Sequence, residues 1–310
     1  MDIIACMKLF SSIAKPLSPV YVICGVLVGL CSFMVSASNA DYSYLPASEV
    51  KQLQVENQSI PALLRPWLGK KQLGLAIIVP PLGERADAPG LASYLRRELN
   101  SAGWATLALT PPMQADIGAE LKDKDAKIVV ANTPDAQQDT AAETPIENQN
   151  IQMHSPAQEA ANVPLQQHDF MLASMAQLDA LGKHFAGKRM LVTMGDSANL
   201  IIELLETHRL PKPDLMVIVN PYSELESANQ ALPKKLAKLS IPVLDIQSKD
   251  GTAQSLATQM QRLTLAPENA PHRYSQQVLA LDLTLKVTWD DCLELIEGFA
   301  RRINKAHPNG

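Results

Sequence analysis

The chain has 310 residues, of which 46% are apolar, so wholesale disorder is excluded and there is ample length to bury a core. The formal charge is −5; Asp2, Lys8 and Lys15 give the first forty residues +1, so the remainder carries −6. That acidic balance excludes a basic footprint for nucleic acid or anionic lipid.

The first forty residues read as a secretory signal. Lys8 and Lys15 supply a positive start, with Met7 as an alternative initiator, and Val20 to Val35 is an uncharged apolar run. Ser36-Ala37-Ser38-Asn39-Ala40 offers small residues for cleavage after Ala40. The competing reading is an uncleaved anchor, for which the run falls short of the ~20 residues that span a bilayer comfortably. A lipid anchor on Cys24 or Cys31 is disfavoured, since Leu30 stands where a small residue should precede a lipidated cysteine. The expectation is a signal peptide over 1–40, a periplasmic product, and no stable membrane span after cleavage. Cys6, Cys24 and Cys31 all lie in the leader, so Cys292 alone remains and no internal disulfide forms. Cys292 reads as a small buried residue on an amphipathic helix.

From Asp41 to about Gln58 the chain is polar and gives little structural signal. Ile60 to Leu68 and Leu73 to Val79 are apolar runs separated by Gly69-Lys70-Lys71, which predicts an antiparallel hairpin. Leu75 to Val79 lacks alternation, the mark of a strand covered on both faces. Gly90 to Ala102 is an amphipathic helix with Leu91, Tyr94, Leu95 and Leu99 on one face, and Gly103 is placed for a left-handed cap. Trp104 to Leu109 is a second buried strand. Strand, helix and strand at this spacing make a βαβ unit and therefore a parallel sheet.

About 116–167 is rich in Ala, Gln, Asp, Glu and Asn with scattered Pro, and it reads as a disordered polar insert. It is either an inert insertion or a lid over the carboxyl edge of the sheet. Order resumes with a helix from about Asp169 to Phe185 and a strand from Arg189 to Met194. A helix from Ala198 to His208 and a strand from Leu215 to Val219 follow. Then come a helix near Leu232 to Leu239, a strand from Ile241 to Ile246 and a helix from Thr252 to Leu263. A strand from Gln276 to Leu281 and a helix from Asp290 to Lys305 close the chain. The fold class is therefore α/β: a three-layer, mostly parallel sheet with an antiparallel N-terminal hairpin, forming one domain over 41–310 around the insert.

Chemistry concentrates at Gly195-Asp196-Ser197-Ala198-Asn199, between a buried strand and a helix. This resembles the Gly-x-Ser-x-Gly nucleophile elbow, with Asn199 in place of the final Gly. Ser197 is the candidate nucleophile, and the Ala198 backbone N–H a candidate oxyanion donor. The same serine would also serve as a plain helix N-cap. Asp250, just past the strand two beyond the elbow, is the candidate acid or a simple turn residue. Pro80 and Pro81 have no N–H, which leaves Leu82 or Gly83 as the second oxyanion donor.

No base emerges. Asp282 to Trp289 holds no histidine, His272 precedes the last strand, and His307 lies in the tail. His154 and His168 flank the insert, and His184 and His208 sit at helix ends. A serine without an imidazole keeps its proton near neutral pH. No Walker loop, dinucleotide fingerprint or zinc spacing occurs, so no cofactor or metal is expected.

Val79-Pro80-Pro81-Leu82-Gly83-Glu84, Leu95-Arg96-Arg97-Glu98-Leu99, Gly103-Trp104-Ala105-Thr106-Leu107 and Ala62-Leu63-Leu64-Arg65-Pro66 together resemble the α/β-hydrolase-like bacterial family of domain of unknown function 3530. The likeness runs from about Ile60 to Arg302. It implies an exported α/β-hydrolase-fold protein of Gram-negative bacteria with no assigned substrate and often a degenerate elbow. Two functions follow: a non-catalytic member binding a small molecule or a cell-envelope protein, or a periplasmic esterase-like serine hydrolase using Ser197. A purely structural envelope component is a third.

Overall fold

The computed structural model describes residues 42–55, 57–113, 156–265 and 274–306, all within the compact unit Ser38–Gly310. The leader expected over 1–40 and residues 114–155 of the polar segment lie outside the described residues.

Among the described residues eight strands form one sheet: β1 (Val50–Val55), β2 (Gln58–Arg65), β3 (Gly74–Val79), β4 (Trp104–Ala108), β5 (Lys188–Met194), β6 (Leu215–Val219), β7 (Val243–Gln247) and β8 (Tyr274–Val278). The order across the sheet is β1-β2-β4-β3-β5-β6-β7-β8. β2 pairs antiparallel with both β1 and β4, and the other neighbours are all parallel.

Alternation between two covered faces explains the unbroken apolar strands. In β3, Ala76 and Ile78 join one apolar cluster while Leu75 and Val79 join the other. The first cluster is closed by α1 (Leu91–Glu98) and α7 (Lys286–Ala306), through Leu95, Ile296 and Phe299. The second is closed by α2 (Pro156–Ala176), α3 (Leu178–Gly182), α4 (Gly195–Glu206) and α5 (Glu226–Ala237). Ile296 and Phe299 are almost wholly buried, each contributing about 1.5–3 kcal/mol of transfer free energy. α6 (Ala253–Thr264) packs beside α5. Gly103, at φ +101, takes the left-handed conformation expected of it.

The antiparallel hairpin exists but is displaced from its expected place. Its arms are β1 and β2, joined near Val55 and Gln58, and not the runs on either side of Gly69. β4 intervenes between β2 and β3, with Leu63 opposite Ala108. β1 is a sheet-edge strand of sequence VKQLQV that buries only Leu53 and Val55 well, so it carries no apolar run to read. Two helices also start earlier than their periodicity indicates. α2 begins at Pro156, inside the segment read as insert, and α4 begins at Gly195. Among the described residues, no helix is long and apolar enough to cross a membrane.

Candidate functional site

The carboxyl ends of β3, β5, β6 and β7 converge on an open cavity of about 380 Å³. In a doubly wound sheet this edge is where ligands are received. Pro81 and Glu84 come from the turn after β3, Met194 and Gly195 from the end of β5, Asn220 and Tyr222 from the end of β6, and Asp250 from the turn after β7. Leu283 and Thr284 complete that side.

The strand-to-helix turn has a single strained residue, and it is Gly195. Met194 is still extended, at φ −130 and ψ 145, and Gly195 swings to φ +59 as α4 begins. A side chain there would be strained and crowded, because its Cβ would lie 3.3 Å from both Pro81 Cβ and Tyr222 Cε1. In a nucleophile elbow the strained residue is the one that presents the reactive side chain above the sheet. Thr193 and Ser197 are the small residues two positions either side of it.

Ser197 therefore sits third in the helix. It is fully buried, and its Oγ has no hydrogen-bond partner among the described residues. It does not line the cavity. Nor does it cap the helix: the N-cap is Met194, with no side-chain cap. Ala198 is likewise fully buried within α4.

Asp196, only 6% exposed, fills the place beside the turn. Its Oδ1 accepts the Leu82 N–H at 2.8 Å and the Ser197 N–H at 3.0 Å. The Leu82 donor anticipated for an oxyanion is thus already engaged by a carboxylate of this chain. Burial pushes the Asp196 pKa up, opposed by the Leu82, Ser197 and its own N–H groups and reinforced by the charge of Glu224. Tyr222 is pushed up to about 12 by burial and then by Asp196 and Glu224, so its hydroxyl stays protonated as a donor.

Asp250 does reach the cavity, on its exposed rim. It accepts the Ser248 hydroxyl, and the Leu283 N–H lies 3.1 and 3.0 Å from its two oxygens. A backbone amide thus stands against the carboxylate where a triad would bring an imidazole. Among the described residues no histidine lines the cavity. His168 is 3.1 Å from Glu203, and His208 lies just past the far end of α4. His154, His272 and His307 lie outside the described residues. Among those described, no group of His, Cys, Asp and Glu is arranged to hold a metal ion.

Beneath the cavity runs a polar network that the sequence does not reveal. Asn220, at φ +47, accepts from Gln247 Nε2 at 2.9 Å and from the Ser248 N–H at 2.8 Å, and its Nδ2 donates to Ser248 Oγ at 2.7 Å. Gln247 Oε1 in turn accepts from Arg262 at 2.7 Å, and Arg262 Nε donates to Asp245 Oδ2 at 2.8 Å. The Arg262–Asp245 pair is wholly buried, and the Tyr274 hydroxyl also donates to Asp245, at 2.7 Å. This chain of bonds fixes the turn that carries Asp250. Asp245 and Gln247, polar residues within a buried strand, are its signal in the sequence, since a buried charge needs a buried partner.

The fold is that of the α/β hydrolases. Dienelactone hydrolase from Anabaena variabilis superposes with a TM-score of 0.52 at 12% identity, over 82% of this chain and 96% of that one. An alpha-beta serine hydrolase homologue from Coxiella burnetii gives 0.50 at 12% identity, over 84% and 99%. An esterase from Pyrococcus furiosus gives 0.51 at 9% identity, over 82% and 90%. At such identities the likeness is one of fold. No curated protein sequence matches the chain. A family model described as "Protein of unknown function (DUF3530)" matches residues 35–302.

Proposed function

The chain belongs to the family of proteins of unknown function DUF3530, and from that membership and the geometry of its turn we propose that it is an exported, non-catalytic α/β-hydrolase-fold protein. It binds a small molecule or a cell-envelope protein at the carboxyl edge of its sheet. The observation that carries this reading is Gly195 at the strained position of the turn after β5. A glycine there has no atom to attack a carbonyl carbon, and the hydroxyl of Ser197, two residues on, is sealed in the core. The absence of an imidazole along the described cavity wall agrees with this, because acyl transfer by serine needs a base to take the hydroxyl proton.

What remains is a cleft with apolar walls and a few polar groups, the general form of a ligand site. Glu84 and Asp250 face it, and no lysine or arginine does among the described lining. That favours a neutral or cationic ligand over an anionic one. The leader over 1–40 supports export to the periplasm, where mature protein would begin at Asp41; N-terminal sequencing of periplasmic material tests this.

The functional test is ester turnover. Purified protein incubated with p-nitrophenyl acetate and butyrate should release nitrophenol no faster than its Ser197→Ala variant. Turnover at least about tenfold above that variant would instead support the serine-hydrolase reading, with Ser197 as nucleophile and Asp250 as orienting acid.

A further inference from the structure

We propose that Asp196 is an internal oxyanion: its carboxylate permanently occupies the pair of backbone N–H groups, from Leu82 and from the first turn of α4, that would otherwise receive an anion beside the cavity. The claim deepens the non-catalytic reading and rests on it.

The placement carries it. Leu82 lies in the turn after β3, one residue beyond Pro81 of the cavity wall, and Asp196 follows Gly195 of that wall. In hydrolases of this architecture, an oxyanion hole is assembled from an N–H in the β3 turn and the N–H of the residue after the nucleophile. With Gly195 at the strained position, that following residue is Asp196 itself, whose own N–H is among the backbone groups that bond its carboxylate. Its own side chain folds back so that Oδ1 lies 2.8 Å from the Leu82 nitrogen, spanning 114 positions of sequence, and 3.0 Å from the Ser197 nitrogen. A helix N-terminus attracts anions because its first N–H groups are unpaired and its dipole is positive there. Here the anion is covalently part of the chain.

The role goes beyond stabilising the end of a helix. An aspartate in a first turn can accept N–H groups of its own helix, whereas this one also ties down a loop from another strand. Burial raises the Asp196 pKa, and Glu224 adds to that, while Tyr222 feels the charge of Asp196 from the neighbouring turn. Among the described residues, its hydrogen-bond donors include no lysine, arginine or histidine. It is retained by backbone dipoles alone, as a reaction oxyanion would be. A carbonyl or carboxylate oxygen of a bound ligand cannot reach these donors without displacing it.

Deleting the carboxylate should therefore open a site for a small free anion. In Asp196→Ala, sodium formate should raise Tm saturably, by about 3–6 °C at roughly ten times its dissociation constant. Sodium chloride at equal ionic strength should not. The Leu82 and Ser197 amide resonances should shift along the same titration curve. Wild type should show neither effect. A folded Asp196→Ala whose Tm ignores formate, or whose two amides stay still, overturns the proposal.

Should that variant fail to fold, the wild-type Leu82 and Ser197 amide protons should move together through one pH titration, and Asp196→Asn should abolish that movement. Amides that do not titrate with Asp196 would overturn the proposal equally. Ester turnover by wild type would remove the non-catalytic reading while leaving the amide pair testable, so the two failures are distinct.

Discussion

Helix α4 carries two largely buried carboxylates about two turns apart, and its two ends hold them in opposite ways. At the N-terminus, among the described residues Asp196 has only backbone N–H groups for partners, beside a Ser197 hydroxyl with none, and its pKa is raised, chiefly by burial. Farther along, burial also works against Glu203, but a hydrogen bond from His168 and one from Lys235 at 2.6 Å overcome it and bring the pKa down to about 2. Glu203 is tied to Lys235 and His168 on two other elements, so it serves the packing of α4 against α2 and α5. Among the described residues Asp196 has no cationic partner, and it sits next to the cavity wall. Carboxylates held without a cationic partner, at a cleft, are where structure has been committed to something other than stability.

Arg262 sets the outer limit of the comparison, since its pair with Asp245 is completely buried. Arg262→Met would strand a buried carboxylate and should cost about 3–5 kcal/mol in urea denaturation.

Glu203→Gln should cost about 2 kcal/mol at neutral pH. Because the folded pKa lies below the ordinary value of 4.5, the ionised Glu203 stabilises the fold above that pH, and its contribution is lost as pH falls towards about 2. The substitution should flatten the acid limb of stability over that window, as denaturation midpoints measured across it would reveal.

Gly195→Ala should cost about 1–2 kcal/mol, since an L-residue at φ +59 is strained and its Cβ would press on Pro81 and Tyr222. A neutral effect on Tm would mean that the turn relaxes and that Gly195 is not its strained point.

Asp196→Asn should give the smallest change in stability, with the opposite pH signature. A raised carboxyl favours the folded state while protonated, and that favour is lost as pH rises from the ordinary value of 3.8 through the folded value. The amide should remove this decline, so wild type and variant should diverge in the direction opposite to the Glu203 pair.

The sheet was legible because β3, β5, β6 and β7 are buried on both faces, which forces runs such as Leu215 to Val219 to be apolar throughout. β1 was not, since an edge strand satisfies itself with Lys51, Gln52 and Gln54. At the site, Asp250 lines the cavity because the turn after β7 carries it there. The turn offered two overlapping frames, one centred on Ser197 and one on Gly195, and composition favoured the residue with a hydroxyl. The positive φ of the turn falls on Gly195, which as glycine accepts it at least cost. The contact from Asp196 to Leu82 joins segments 114 positions apart, beyond any local pattern.

Fluorophosphonate labelling followed by intact-mass measurement tests the central assignment most directly. Folded wild-type protein, held at neutral to mildly alkaline pH with excess probe, should show no adduct, because position 195 has no nucleophile and the hydroxyl at 197 is enclosed. A single stoichiometric adduct that disappears in Ser197→Ala would contradict it.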